Sequence, residues 1–228
     1  MSSNPEHVAI IYASKSGGTV RLAKHLADGL QLSHPEYGTS ELFNIEGGLP
    51  ADFNWKRYKA LALAIPFYNN DGASSKITSF LSHNLSRINN IPHALLVISM
   101  SPLGKGYSQE NDRGLKSFLR ATGLKPRIVK VVPGHIPWSK FSLVDKIRVK
   151  KVLSSVDDLG WNPKYVKAGD DPSDPKKGDR EYTNLNEIDD FARDFVVEAQ
   201  EHYEAKSSRE DLFATKGRNL FATASEDD

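Results

Sequence analysis

Five short apolar runs punctuate the chain, and between them apolar positions recur at helical spacing. The runs are His7 to Ala13, a weaker one from Ser40 to Asn44, Ala60 to Ile65, His93 to Met100, and Arg127 to Val132. The first intervening stretch, Val20 to Leu32, places Leu22, Ala23, Leu26, Ala27 and Leu30 on one helical face. Helices are also predicted from Ser74 to Arg87 and from about Gln109 to Thr122, the latter stopped by Gly123. A last helix opens at Asn184, with Glu187 at capping-box spacing and a stripe of Leu185, Ile188, Phe191, Ala192, Phe195, Val196 and Ala199. Near-continuous apolar strands need cover on both faces, and alternating helices supply it. The expectation is an α/β protein: a doubly wound, five-stranded parallel sheet of order 2-1-3-4-5 with helices on both faces, its ligand beyond the carboxyl ends of the strands.

Composition bounds what such a sheet does. With 228 residues, 39% of them hydrophobic, and a formal net charge of +1, the chain fills one core. One domain over residues 1–204 is expected, with a polar surface insertion at about 155–180 and a mobile tail at 205–228. Cysteine is absent, which excludes disulfide scaffolds, thiolate metal sites and cysteine nucleophiles. The seven histidines lack metal-ligand spacing, so no metal is expected, and nucleic acid is not an expected partner. No apolar run reaches the roughly 20 residues that span a bilayer, and the first residues lack a basic, signal-like start. A cytoplasmic or peripherally membrane-associated location is expected.

The chemistry centres on the loop after the first strand, Ser14-Lys15-Ser16-Gly17-Gly18-Thr19. It joins a buried strand to a helix, so its hydroxyls and backbone N–H groups sit at the positive end of that helix, where a phosphate monoester is held. A Walker loop needs Gly-Lys-Ser/Thr at its end and a dinucleotide loop needs G-x-G-x-x-G; neither is present. The order resembles the phosphate loop of flavodoxins, and the reading is a cradle for flavin mononucleotide (FMN). A plain strand-to-helix turn capped by Ser16 or Thr19 is the alternative.

The predicted topology brings two further loops to that end. Pro66, Phe67, Tyr68 and Asn69, running on to Gly72, offer aromatic rings and a polar turn to an isoalloxazine, with Phe67 and Tyr68 as ordinary loop-packing residues the equal alternative. Ser101, Pro102, Gly104, Gly106 and Tyr107 offer glycines for close backbone approach and another ring. Beyond the fifth strand, Gly134 to Phe141 leads into a helix at 142–154 that mixes apolar residues with Lys146, Arg148, Lys150 and Lys151. That helix is read as a solvated sheet cover or as a face against anionic lipid.

Three segments carry a narrower resemblance: Tyr58 to Tyr68, Gly134 to Lys151, and Tyr182 to Arg193 (Tyr-Thr-Asn-Leu-Asn-Glu-Ile-Asp-Asp-Phe-Ala-Arg). With the first loop they make the chain, from about Val8 to Val197, similar to the flavodoxin-type, quinone-dependent protoporphyrinogen IX dehydrogenases. The resemblance implies oxidation of protoporphyrinogen IX to protoporphyrin IX in haem biosynthesis, with FMN as cofactor and a quinone as electron acceptor. No side chain is then required as a catalytic nucleophile, because the flavin N5 accepts hydride. Lys105, Arg113 and Lys140 are candidate partners for the porphyrinogen propionates. The stretch at 154–180 and the tail depart from the family pattern. An NAD(P)H:quinone oxidoreductase and a non-enzymatic flavodoxin carrier are the alternative functions.

Overall fold

A computed structural model describes residues 7–14, 17–33, 39–67, 72–103, 106–136, 143, 146, 147 and 180–222. Strands β1 (His7–Tyr12), β2 (Ser40–Asn44), β3 (Tyr58–Pro66), β4 (His93–Ile98) and β5 (Ile128–Val132) form one sheet in the order β2-β1-β3-β4-β5. Every pairing in it is parallel. Helices α1 (Gly18–Ser33), α2 (Ser75–Asn89), α3 (Arg113–Thr122) and α4 (Leu185–Ala222) accompany them. The expected sheet and its order are therefore present.

Strand β3 shows how the sequence builds two different faces. Its alternation of Ala60, Ala62 and Ala64 with Leu61, Leu63 and Ile65 sends alanines to one side and large aliphatics to the other. On the alanine side, α1 and α4 fill the space with Leu22, Leu26, Leu30, Phe191 and Phe195. The two helices approach closely at Gly29, where an added Cβ would lie 3.4 Å from Ala192 Cβ. On the leucine side, Ile77, Leu81 and Ile88 of α2 and Leu115 and Phe118 of α3 complete a second core. An aromatic group of Phe43, Phe53, Trp55 and Tyr58 extends that core under β2, with Phe53 stacked on Tyr58 at 5.2 Å.

Boundaries differ from the sequence expectation in places with identifiable causes. Helix α1 begins at Gly18, two residues before the expected Val20. Helix α3 begins at Arg113 because Asp112 caps it, its carboxylate accepting from Leu115 N–H at 2.9 Å. Gln109–Asn111 form a separate 3₁₀ turn. The stop at Gly123 is as expected, with φ +71° and its N–H on Leu119 C=O. The opening of α4 is also as expected, with Asn184 Oδ1 accepting from Asn186 N–H at 3.2 Å. That helix continues through residues 205–222, where a tail was expected, for a length of 38 residues, about 57 Å at the usual rise.

The chain also forms a ladder that the sequence did not suggest. Strands β6 (His135–Ile136) and β7 (Arg180–Glu181) pair antiparallel, His135 opposite Glu181 and Ile136 opposite Arg180. The pairing therefore sets Ile136 and Arg180 side by side, although many residues separate them in sequence. The expected insertion at 155–180 lies outside the described residues except for Arg180, and the expected helix at 142–154 does so except for Leu143, Lys146 and Ile147.

Candidate functional site

The carboxyl end of β1 folds into a turn stabilised by its own side chain. Ser14 Oγ accepts the N–H of Gly17 at 3.1 Å, an arrangement that bends the chain back toward α1. Gly17 has φ +92°, a left-handed conformation that a side chain would strain. From the end of β2, Asn44 Nδ2 donates to Ser14 C=O at 3.3 Å and ties the turn to the sheet. Helix α1 follows at once, and no acidic residue occupies its first turn. Its first N–H groups have no acceptor within the helix and carry the positive end of the helix dipole. Thr19 is buried in this first turn. A glycine hinge, open first-turn amides and the absence of a competing carboxylate fit a phosphate monoester. Lys15 and Ser16 lie outside the described residues.

The second loop is built differently from the expectation. Pro66 is the last residue of β3, paired with Ile98. Phe67 continues the strand's register: its N–H donates to Ile98 C=O at 2.8 Å, and its ring is buried against Phe118 at 5.0 Å, edge to face. Phe67 thus belongs to the leucine-side core, because strand alternation carries one residue further than the apolar run suggested. Tyr68 and Asn69 lie outside the described residues, and Gly72, at φ +79°, marks the return into α2.

The third loop is held at both ends. At its start, Ser101 N–H donates to Ser99 Oγ at 3.1 Å, while the Ser99 hydroxyl donates to Ser101 Oγ at 3.0 Å. Ser101 and Pro102 lie in the 3₁₀ turn that follows. Gly106 turns at φ +68°, and Tyr107 packs its ring on the leucine-side core with its hydroxyl donating to Asp112 Oδ2 at 3.2 Å. Burial, then the Asp112 carboxylate, raise the Tyr107 pKa well above the ordinary value, so the phenol stays neutral. Gly104 and Lys105 lie outside the described residues, as does Lys140. Arg113 is exposed at the first position of α3.

The β6–β7 ladder adjoins this end of the sheet. An added Cβ on Gly18 would stand 3.7 Å from His135 Cβ, so β6 runs beside the first turn of α1. Gly134 makes that approach possible, since a Cβ there would come within 2.4 Å of Ile98 Cγ2. Thr183 Oγ1 donates to Pro133 C=O at 2.7 Å and fastens the returning chain to the departing one. Asn44, Ser99 and Gly134 were not among the expected site residues. Asn44 ends β2, Ser99 follows β4 and Gly134 lies two residues past β5, and nearness to the carboxyl end of a parallel strand is the signal that would have found them.

An open parallel sheet of order 2-1-3-4-5, with a glycine-hinged hydroxyl loop between its first strand and helix, defines a flavodoxin-like protein. The chain belongs to the family described as Flavodoxin domain, which matches residues 9–158. No curated protein matches it. Among solved structures it is similar to a mutant flavodoxin of Fusobacterium nucleatum bound to flavin mononucleotide, with 15% identity and a TM-score of 0.43 over 86% of this chain and 96% of that one. Two-electron reduced Megasphaera elsdenii flavodoxin has 18% identity and a TM-score of 0.39, over 54% of this chain and 84% of the other. The rubredoxin oxygen:oxidoreductase of Desulfovibrio gigas has 17% identity and a TM-score of 0.35, over 68% of this chain and 36% of its own. The fold assignment rests on the strand order and the family match.

Proposed function

We propose that the chain is an FMN-dependent oxidoreductase that converts protoporphyrinogen IX to protoporphyrin IX and delivers the electrons to a quinone. The observation that carries the flavin part is the Ser14–Gly17 turn leading into the acid-free first turn of α1. Two more loops reach the same end of the sheet, from β3 and β4. The porphyrinogen part rests on the three sequence segments at 58–68, 134–151 and 182–193. The second of these contains β6, whose His135 stands beside Gly18, and the third opens just after β7, which pairs with β6.

Bound FMN would supply two-electron acceptance at its N5, and full oxidation of the porphyrinogen removes six electrons, so three rounds of reoxidation serve each product. The protein's own part is to bind, orient and exclude. Ser14, Gly17, Gly18 and Thr19, with Ser16, would hold the phosphate, and the 101–107 loop would meet the ring system. A quinone acceptor resides in a membrane, and Leu143 and Ile147 support a face suited to reaching it. These are 80% and 69% exposed and one helical turn apart, in a segment rich in lysine and arginine. Among the described residues no helix is long and apolar enough to cross a membrane. Contact at the lipid surface is the mode proposed, and flotation with anionic liposomes that persists unchanged after Lys150 and Lys151 are neutralised would remove it.

Anaerobic mixing tests the whole reading. The purified chain is expected to be yellow, and protoporphyrinogen IX alone is expected to bleach its flavin absorbance, with colour returning on addition of a quinone. Bleaching only by NAD(P)H would make it an NAD(P)H:quinone oxidoreductase. Bleaching by neither would make it an electron carrier between proteins.

A further inference from the structure

The side chain of Gln109 occupies the outer edge of the sheet. Its Nε2 donates to Val129 C=O at 2.8 Å and its Oε1 accepts the N–H of Val131 at 2.8 Å. These two backbone groups flank Lys130 on β5, the last strand of the sheet on that side. In a parallel ladder, one residue's N–H and C=O bond to the residues before and after its partner on the neighbouring strand. The Gln109 amide reproduces that pattern opposite Lys130, so one side chain stands where a sixth parallel strand would. Both distances are those of good hydrogen bonds, and both amide functions are used in the required sense.

The position of this residue gives the contact a second meaning. Gln109 begins the 3₁₀ turn that follows the 101–107 loop, and Asp112, which caps α3 and holds Tyr107, lies three residues on. The loop is fixed at its start by the Ser99–Ser101 pair and at its end by the edge of β5. We infer that Gln109 is a positioning residue for the flavin: by imitating a strand at the β5 edge it holds the 101–107 loop in place for FMN. This rests on the FMN reading above. Glutamine alone among uncharged side chains of that length carries a donor and an acceptor on one planar group, so leucine removes both bonds. Glutamate keeps the acceptor and, while ionised, sets an oxygen against Val129 C=O. A protonated glutamate restores the donor and with it the original pattern. Among the described residues, the charged groups on the positions around it are Glu110 next in sequence, Asp112 bonded to Tyr107, and Lys130 opposite it, whose Nζ lies 3.9 Å from Glu187.

The test is FMN binding to the full chain stripped of flavin, followed by flavin fluorescence, for wild type, Gln109→Leu and Gln109→Glu. Gln109→Leu is expected to raise the FMN Kd about tenfold or more at neutral pH while the apo chain retains its far-ultraviolet dichroism. Gln109→Glu is expected to bind weakly at pH 8 and to narrow its Kd ratio to wild type, measured at the same pH, as the pH is lowered to 5 and the carboxylate begins to take up a proton. A role confined to stability would lower the melting temperature of both variants and leave their Kd values equal to wild type. Gln109→Leu binding within twofold of wild type overturns the inference. Should that variant not fold, Gln109→Glu with a constant ratio to wild type across the pH range overturns it instead. Wild-type chain that takes up no FMN overturns the flavin reading as well, whereas tight wild-type binding matched by both variants removes this inference alone.

Discussion

The two ends of the sheet are held by opposite means. At the amino end, side chains close on backbone and on one another. Tyr203 of α4 donates to Lys59 C=O at 2.6 Å, Arg127 at the start of β5 donates to His202 Nδ1, and His93 at the start of β4 contacts Ile91 C=O at 3.0 Å. Beside them, Tyr58 and Arg57 both donate to the Glu41 carboxylate, at 3.1 Å and 2.9 Å, and burial together with that carboxylate pushes the Tyr58 pKa up to about 12. At the carboxyl end, by contrast, Gly17, Gly72 and Gly106 all turn with positive φ, and short side-chain ties bend two of the loops back on themselves, Ser14 to Gly17 and Ser99 to Ser101. One end spends its polar groups on staying shut, while the other keeps backbone N–H groups available for a ligand.

Perturbing the two ends should separate stability from cofactor binding. The largest effect is expected where both ends share a support: Phe195 is 1% exposed on the alanine-side core, so Phe195→Ala should cost about 3–5 kcal/mol in urea unfolding. Next is Gly134→Ala at the carboxyl end, where the new methyl meets Ile98 Cγ2 at 2.4 Å. About 1–3 kcal/mol of stability should be lost, and FMN affinity should fall with it because His135 is displaced from Gly18. Tyr203→Phe at the amino end deletes a single bond to Lys59; roughly 1 kcal/mol should go, with the FMN Kd unchanged by titration. Ser14→Ala should do the reverse, leaving the melting temperature of the apo chain near wild type and weakening FMN by about 0.5–1.5 kcal/mol. Equal effects of these last two variants on both measurements would erase the distinction between the ends.

The smallest expected effect is a tilt in the pH dependence of stability. Burial, reinforced by Arg127, lowers the His93 pKa below its ordinary 6.5, against the opposing contact with Ile91 C=O. Its Nε2 is buried without a hydrogen-bond partner among the described residues, consistent with a neutral ring. Below pH 6.5 the unfolded chain therefore binds more protons at this site than the folded one, so stability is full above that pH and declines as it falls. Urea midpoints measured at pH 7.5 and 5.5 should differ less in His93→Gln than in wild type.

How much of this was legible in the sequence follows the same division. The five strands and their order could be read because parallel strands buried on both faces are nearly all apolar, and Gly123 and Asn184 announced helix ends by chemistry that needs no partner. The paired strands at His135 and Arg180 have two residues each, too few for any period, and their pairing spans a long separation in sequence. Phe67 was read as a loop aromatic because nothing local marks the residue at which strand alternation ceases. Gln109 appeared as an ordinary helix former; its role depends on the edge of β5, which no local pattern contains. The second half of α4 looked like a tail since it lacks an apolar stripe, although lysine, glutamate, arginine and alanine there favour helix.

The direct pairing of Ile136 with Arg180 has a practical reach of its own. An antiparallel pair brings its two chain ends to adjacent positions, so a tight turn such as Asn-Gly suffices to join them. A chain in which such a turn replaces residues 137–179 is therefore expected to keep β6 paired with β7 and the five-stranded sheet in register, which amide hydrogen exchange across the strands would check.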